Sequence, residues 1–169
     1  MSDEQAKQDE SWRGKVGKLT EEELNEFLST DVLCRLAVLD DEGWPYVAPV
    51  WFLYKDGGFY IVPRERSKWA VYMKNDPRVF LTIDEPGRQR KVMVKGEAQL
   101  LEEPNLGGKW VEVANEMSYR YLGPNGPSYL EPTLTEPRWL FFVKPITLTS
   151  WQGVDWAKRY KHSEWGAAD

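Results

Sequence analysis

One stretch, residues 59–83, constrains the fold more than any other. Two apolar runs rich in Val, Ile, Phe and Tyr, Phe59 to Val62 and Val79 to Ile83, flank a charged corner, Pro63-Arg64-Glu65-Arg66-Ser67-Lys68. Between corner and second run, Trp69, Tyr72 and Met73 fall at i, i+3 and i+4. The flanks predict strands, and the spacing predicts a helix over 69–75 with one buried face. At the corner, Arg66 and Lys68 bracket Ser67 where the helix begins, and the first helical N–H groups have no intrahelical acceptor, which suits an anion. Two readings stand for the corner, an anion seat or a solvated charged turn.

Along the rest of the chain, residues 1–18 are polar and without periodicity and predict a mobile or loosely docked arm, with Trp12 as its apolar exception. Thr20 followed by Glu23 is a capping box, and Leu24, Phe27 and Leu28 form an apolar stripe, so a helix is expected over 21–29. Strands follow at 33–39 and 44–54, separated by a turn at 40–43. Pro45 and Pro49 bar the second from continuous pairing and place it at an edge or bend. Lys55-Asp56-Gly57-Gly58 predicts a hairpin. Beyond a turn at 85–88, Val92, Val94, Ala98 and Leu100 alternate with polar residues in a long strand, with Gly96 marking a bulge or barrel bend and 104–108 ending it. Trp110, Val113, Ala114, Met117 and Tyr121 at helical spacing predict an amphipathic helix stopped by Gly123-Pro124, its stripe core or subunit contact rather than a cofactor box. A Pro- and Gly-rich loop, 124–137, leads to strands at 139–143 and 146–151 that Pro145 separates. Six to seven strands with short turns and small helical insertions predict a mainly β domain, an antiparallel barrel.

Composition narrows the chemistry. With 169 residues, 41% hydrophobic and 14% aromatic, one core is expected, and a net charge of -5 makes neither nucleic acid nor an anionic membrane an evident partner. No apolar stretch has the length of a membrane span and no signal-peptide pattern opens the chain, so a cytoplasmic protein is expected. One cysteine, Cys34, in an apolar run, and one histidine, His162, in a polar tail leave no internal disulfide, no metal-ligand set and no paired nucleophile and base. The phosphate-loop and dinucleotide glycine motifs are absent. Any redox chemistry then falls to a cofactor, and no catalytic side chain is assigned.

The order of motifs is similar to that of the pyridoxamine 5'-phosphate oxidase-like FMN-binding split-barrel superfamily. It runs through the paired strands, the basic corner ending in Lys68, the helix, Asp76-Pro77-Arg78-Val79, Arg90-Lys91-Val92-Met93-Val94-Lys95-Gly96 and finally Trp151-Gln152-Gly153. The resemblance covers residues 33–156 and implies an antiparallel split β-barrel over 19–156, with 157–169 as a tail. It implies FMN, or the deazaflavin F420, with the phosphate on Arg66, Ser67 and Lys68. The ring would lie along Ala48, Pro49, Val50 and Trp51 and along Ile61 and Val62, with Lys91 beside it. Trp151 would come from the partner subunit of a homodimer; independently, with Trp44, Trp51, Trp110, Trp139 and Trp151 in one small barrel, some aromatic surface is expected to be subunit interface. The departures matter too: Ser67-Lys68 stands where the oxidase has adjacent Arg and Lys, and Leu53 where its second strand has a phosphate-holding lysine. Ala157 and Arg159 stand where the oxidase has its Arg-x-His pair, so vitamin B6 oxidase activity itself is not expected. Two functions follow from the resemblance, a flavin- or F420-dependent oxidoreductase acting on a small molecule, or a non-catalytic protein that binds or stores flavin, haem or another cofactor.

Overall fold

The computed structural model describes residues 14–154. Trp12, His162, Ala157, Arg159 and the tail lie outside the described residues. A seven-stranded antiparallel sheet in the order β2-β1-β5-β6-β7-β4-β3 carries the fold. Its strands are β1 (Cys34–Leu39), β2 (Pro45–Val50), β3 (Leu53–Lys55), β4 (Gly58–Ile61), β5 (Arg78–Asp84), β6 (Lys91–Asn105) and β7 (Arg138–Trp151). The helices are α1 (Glu21–Leu28), α2 (Lys68–Asn75), α3 (Trp110–Leu122) and α4 (Gly126–Leu130). This is the mainly β antiparallel architecture that the alternation of residues predicts, in the split-barrel form that the resemblance implies.

Period-2 patterning sets the register. Leu36 lies opposite Leu81 and Leu81 opposite Val94, so the apolar faces of β1, β5 and β6 are in line and turned into one core. Phe27 and Leu28 of α1 and Ala70 and Met73 of α2 close that core. The capping box at Thr20 forms as expected, Glu23 N–H to Thr20 Oγ1 at 3.2 Å and Thr20 N–H to Glu23 Oε2 at 2.8 Å. A second cluster, Tyr60, Trp110, Val113, Ala114, Met117, Leu130 and Leu140, lies between α3, α4 and the outer side of the β4–β7 pair. Consequently all four residues of β4 are buried.

The single strand expected over 44–54 is two strands. Pairing with β1 ends at Val50, pairing with β4 begins at Leu53, and Trp51 and Phe52 carry the chain between the two open edges of the sheet. Proline-bearing β2 is an edge, where a missing N–H costs no ladder bond. Pro145, expected to break the last strand, lies within β7, because Ile146 is an extra residue between the pairs Lys95–Thr147 and Gly96–Pro145 and the bulge accommodates the missing donor. Gly96 is required there, since a Cβ would come within 2.8 Å of Val143 Cγ1 and 2.9 Å of the Lys144 carbonyl. Strand β6 continues past Leu100 and through Pro104 to Asn105, its partner β7 being available as far back as Arg138, though with register shifts. The segment expected as a loop over 124–137 contains α4 flanked by two single 3-10 turns. In the N-terminal stretch, Gly17 pairs with Gln152 through two backbone bonds, 2.9 and 2.8 Å, so at least this part of the arm is docked.

Gly126 has helical dihedrals, so only space decides its substitution. A Cβ there would lie 2.4 Å from the Ser118 carbonyl carbon and 2.5 Å from its oxygen. Gly126→Ala is expected to cost about 1–3 kcal/mol by prising α4 from α3. Gly87→Ala, with nothing within 4 Å, is expected to stay within about 0.5 kcal/mol. Urea midpoints of the two variants against wild type check the pair.

Candidate functional site

A cavity of about 340 Å³ opens where β2, β4 and α2 meet the α3–α4 insertion, within the size range of small-molecule sites. The strand ends contribute Pro49, Val50 and Trp51 from one side and Ile61, Val62 and Pro63 from the other; Ala114, Met117 and Leu130 close it from the helices. Polar lining comes from Arg64, Ser67, Ser118, Tyr129 and Arg138, and no acidic residue lines it.

Of the residues that the sequence assigns to a cofactor, six line this one cavity: Pro49, Val50, Trp51, Ile61, Val62 and Ser67. Ala48 is buried in the barrel core instead, because strand alternation turns it inward with Val50. Arg66 and Lys68 stand at its edge, exposed and outside its lining. Neither makes an ion pair among the described residues. Ser67 is the N-cap residue of α2 in extended conformation, yet its side chain makes no capping bond. Lys91 and Trp151 are cross-strand partners at the far end of the β6–β7 ladder. Ten residues of β7 separate Trp151 from Phe141, the partner of Ile61, which is about 30 Å of extended chain. Neither of the two is in the lining of the cavity.

The sequence reading missed Arg64 and Arg138 as a pair. They face each other in an isolated antiparallel bridge between the charged corner and the start of β7, locked by backbone bonds from Glu65 N–H to Pro137 O and from Trp139 N–H to Pro63 O, each 3.0 Å. Arg64 Nη1 donates to Glu136 Oε2 at 2.5 Å. Arg138 Nη2 donates to Thr133 Oγ1 at 2.6 Å, while its Nε is buried with no partner. Burial first, and then the Arg64 charge, push the Arg138 guanidinium below its usual value. Nothing local in the sequence marks the pair, because 74 positions separate the two residues.

Trp51 is held in the cavity wall by α3, not by the sheet. Its ring stacks on Tyr121 at 4.5 Å and 8°, and Tyr129 packs against it at 5.6 Å. The Tyr121 hydroxyl accepts from Phe52 N–H at 3.2 Å and donates to Val32 O at 2.9 Å, and Arg120 donates to the carbonyls of Thr30 and Phe52. The bonds to Phe52 satisfy backbone groups that the break between β2 and β3 takes out of the ladder, and those to Thr30 and Val32 tie the segment between α1 and β1 to α3. Burial pushes the Tyr121 phenol up, with Arg120 opposing, and pushes Arg120 down. Trp110 and Trp139, expected to offer interface, are buried in this chain's own clusters. Cys34 is fully buried, and desolvation raises its thiol far above the reactive range.

The family model described as Pyridoxamine 5'-phosphate oxidase matches residues 20–139. Among solved structures, a conserved hypothetical protein, Rv2991, from Mycobacterium tuberculosis shares 20% identity at a TM-score of 0.66, covering 83% of this chain and 88% of that one. An FAD-binding protein, mll6688, from Mesorhizobium loti shares 23% at 0.57, covering 83% and 98%. The haem storage protein HutZ from Vibrio cholerae shares 20% at 0.60, covering 76% and 92%. At these identities the structures establish a common fold and no more. No curated protein matches the sequence.

Tyr121→Phe keeps the ring stack but strands Phe52 N–H and Val32 O. It is expected to cost about 1–3 kcal/mol of stability, read from the denaturant midpoint. A shift under about 0.5 kcal/mol would show that water replaces the hydroxyl. The match over 120 of 169 residues, on a split barrel with this site at its rim, establishes that the chain belongs to the pyridoxamine 5'-phosphate oxidase family.

Proposed function

We propose that this protein is an oxidoreductase that uses FMN, with deazaflavin F420 as the alternative, on a small-molecule substrate, and that its working unit is a homodimer. The observation that carries the reading is convergence. Six residues assigned from sequence to one cofactor come from three separate segments and line one cavity, and Arg66 and Lys68, which make no ion pair among the described residues, flank its Ser67. The donor set fits a flavin. Ser67, Arg66 and Lys68 at the start of α2 would hold a phosphate, and Pro49, Val50, Trp51, Ile61 and Val62 form an apolar wall for a flat ring. When bound, such a cofactor supplies the ring that takes up and returns reducing equivalents, while the protein orients it and excludes water.

Lys91 and Trp151 are outside the cavity lining of their own chain, which is consistent with a site that a second copy completes. Trp44 on the loop before β2 is 69% exposed, and Phe80 and Met93 are exposed diagonal neighbours on the outer face of β5 and β6. Large apolar side chains in such a position favour a partner surface.

Titration of the purified protein with FMN, F420 or haem, followed by absorption, is the direct test. Perturbed flavin or deazaflavin bands on binding are the expected result, whereas a haem band with no flavin response would favour a storage role. Arg66→Ala with Lys68→Ala is expected to weaken FMN binding by about 2 kcal/mol or more, and an unchanged affinity would remove the phosphate assignment. In sedimentation at micromolar concentration a dimer is expected, and monomer alone would overturn the shared site.

A further inference from the structure

We propose that Arg64 and Arg138 form the anchor of a substrate site for a small carboxylate carried on a flat apolar body, with Trp51, Tyr129, Met117 and Leu130 as the walls. This rests on the oxidoreductase reading above, in which the cofactor phosphate is held separately at the start of α2.

Three observations lead there. The two arginines are directly opposed in a β-bridge, an arrangement that costs stability when like charges face each other without a shared counterion. Among the described residues a single carboxylate, Glu136, serves both: it is bonded to Arg64 and acts on Arg138 through charge alone. The pair therefore has one positive charge uncompensated in a cavity whose lining includes no acid. Arg138 also has its Nε buried without a partner, a costly state that it shares with Arg120 Nη2, but only Arg138 lines the cavity. Its place is secured independently, by the bond to Thr133 and by its stacking over the Trp110 ring at 5.3 Å, so the guanidinium is pre-organised rather than free to turn to water.

The remaining walls define what accompanies the anion. Trp51 is fixed by its stack on Tyr121, and Tyr129 lies tilted against it, so the cavity presents aromatic surface of fixed orientation opposite the aliphatic side chains of Met117 and Leu130. Flat or apolar bodies gain contact there, and a planar carboxylate matches the planar fork of an arginine. The α3–α4 insertion supplies Met117, Tyr129 and Leu130, which makes it the element that selects the body, while the Arg64–Arg138 bridge selects the charge.

The test uses the full-length protein without added cofactor, with benzoate as probe and benzamide as its neutral counterpart, monitored by ligand-observed NMR or calorimetry. Benzoate is expected to bind at least about tenfold more tightly than benzamide. Arg138→Met, which retains a stem to cover Trp110, is expected to abolish that preference, and Arg138→Lys to restore part of it. Arg64→Met is a second variant that removes the anchor from the other strand should the Arg138 variant fail to fold, as judged by circular dichroism. FMN affinity is measured in parallel, and the expected result is a loss of benzoate preference larger than any loss of FMN affinity in both Met variants. Equal binding of benzoate and benzamide, or no benzoate binding up to about 10 mM, would overturn the proposal. A loss of FMN affinity in Arg138→Met with benzoate binding intact would assign the pair to the cofactor phosphate instead. Failure of the wild-type protein to bind FMN would sink the oxidoreductase reading while leaving a measured benzoate preference standing.

Discussion

The long antiparallel ladder between β6 and β7 is the constraint on which the rest depends. Its fifteen- and fourteen-residue strands join the two halves of the sheet, with β5 and β1 on one side and β4 and β3 on the other. The core is common to both halves because Val92, Val94 and Ala98 of β6 and Phe141 and Val143 of β7 point into it together. The α3–α4 insertion leaves β6 at one end of this ladder and returns to β7 at the same end. A helical cover is thereby delivered to the outer side of β4, where Tyr60, Leu140 and Trp110 pack. The ladder can carry both a barrel face and a helix-covered face only by bending, and the bulge at Ile146 opposite Gly96 provides the bend.

Polar groups at the break in the sheet are settled by the same insertion. Between Val50 and Leu53 the chain leaves one edge strand for the other, and its backbone groups would be buried without partners. Arg120 and Tyr121 supply them from α3, at the cost of a desolvated guanidinium, one of whose nitrogens is itself buried without a bond. The start of α3 is treated likewise: no N-cap side chain is present, and the Glu102 carboxylate on β6 accepts from Lys109 N–H at 2.9 Å and Trp110 N–H at 3.1 Å. Side chains from one element thus complete the backbone of another, which couples cavity shape to the seating of α3.

Charge follows a different logic in the core and at the cavity. Arg90 is 6% exposed but bonded twice to Glu85, at 2.6 and 3.1 Å, with Phe27 beneath it at 4.7 Å, so its burial is compensated. Arg138 is stacked in the same manner over Trp110, yet it has no carboxylate of its own. Arg138, like Arg120, is left with one buried nitrogen unbonded, and of the two only Arg138 lines the cavity. That difference separates a structural ion pair from a group disposed to bind something.

Much was legible from local chemistry. Alternation at Cys34, Leu36 and Val38 and at Val79, Leu81 and Ile83, the Thr20–Glu23 capping box and the helical spacing of Trp69 and Met73 each express a short-range rule, a period or a cap, that operates within one element. The charged corner and the strand ends Pro49 to Trp51 and Ile61 to Val62 were likewise visible, because they sit at element boundaries that residue type announces. Proline was over-read in 44–54 and at 145: the division of the first lies at Trp51–Phe52, where no breaker stands, and Pro145 is absorbed by a bulge that exists only because Gly96 faces it. The sequence by itself determined the mainly β character, the inward faces and the basic corner, since each depends on neighbours a few residues apart. Only the tertiary structure decided that Arg64 meets Arg138, that Tyr121 carries Trp51, and that Lys91 and Trp151 stand outside the cavity lining, since these follow from pairings between distant segments and not from any local pattern.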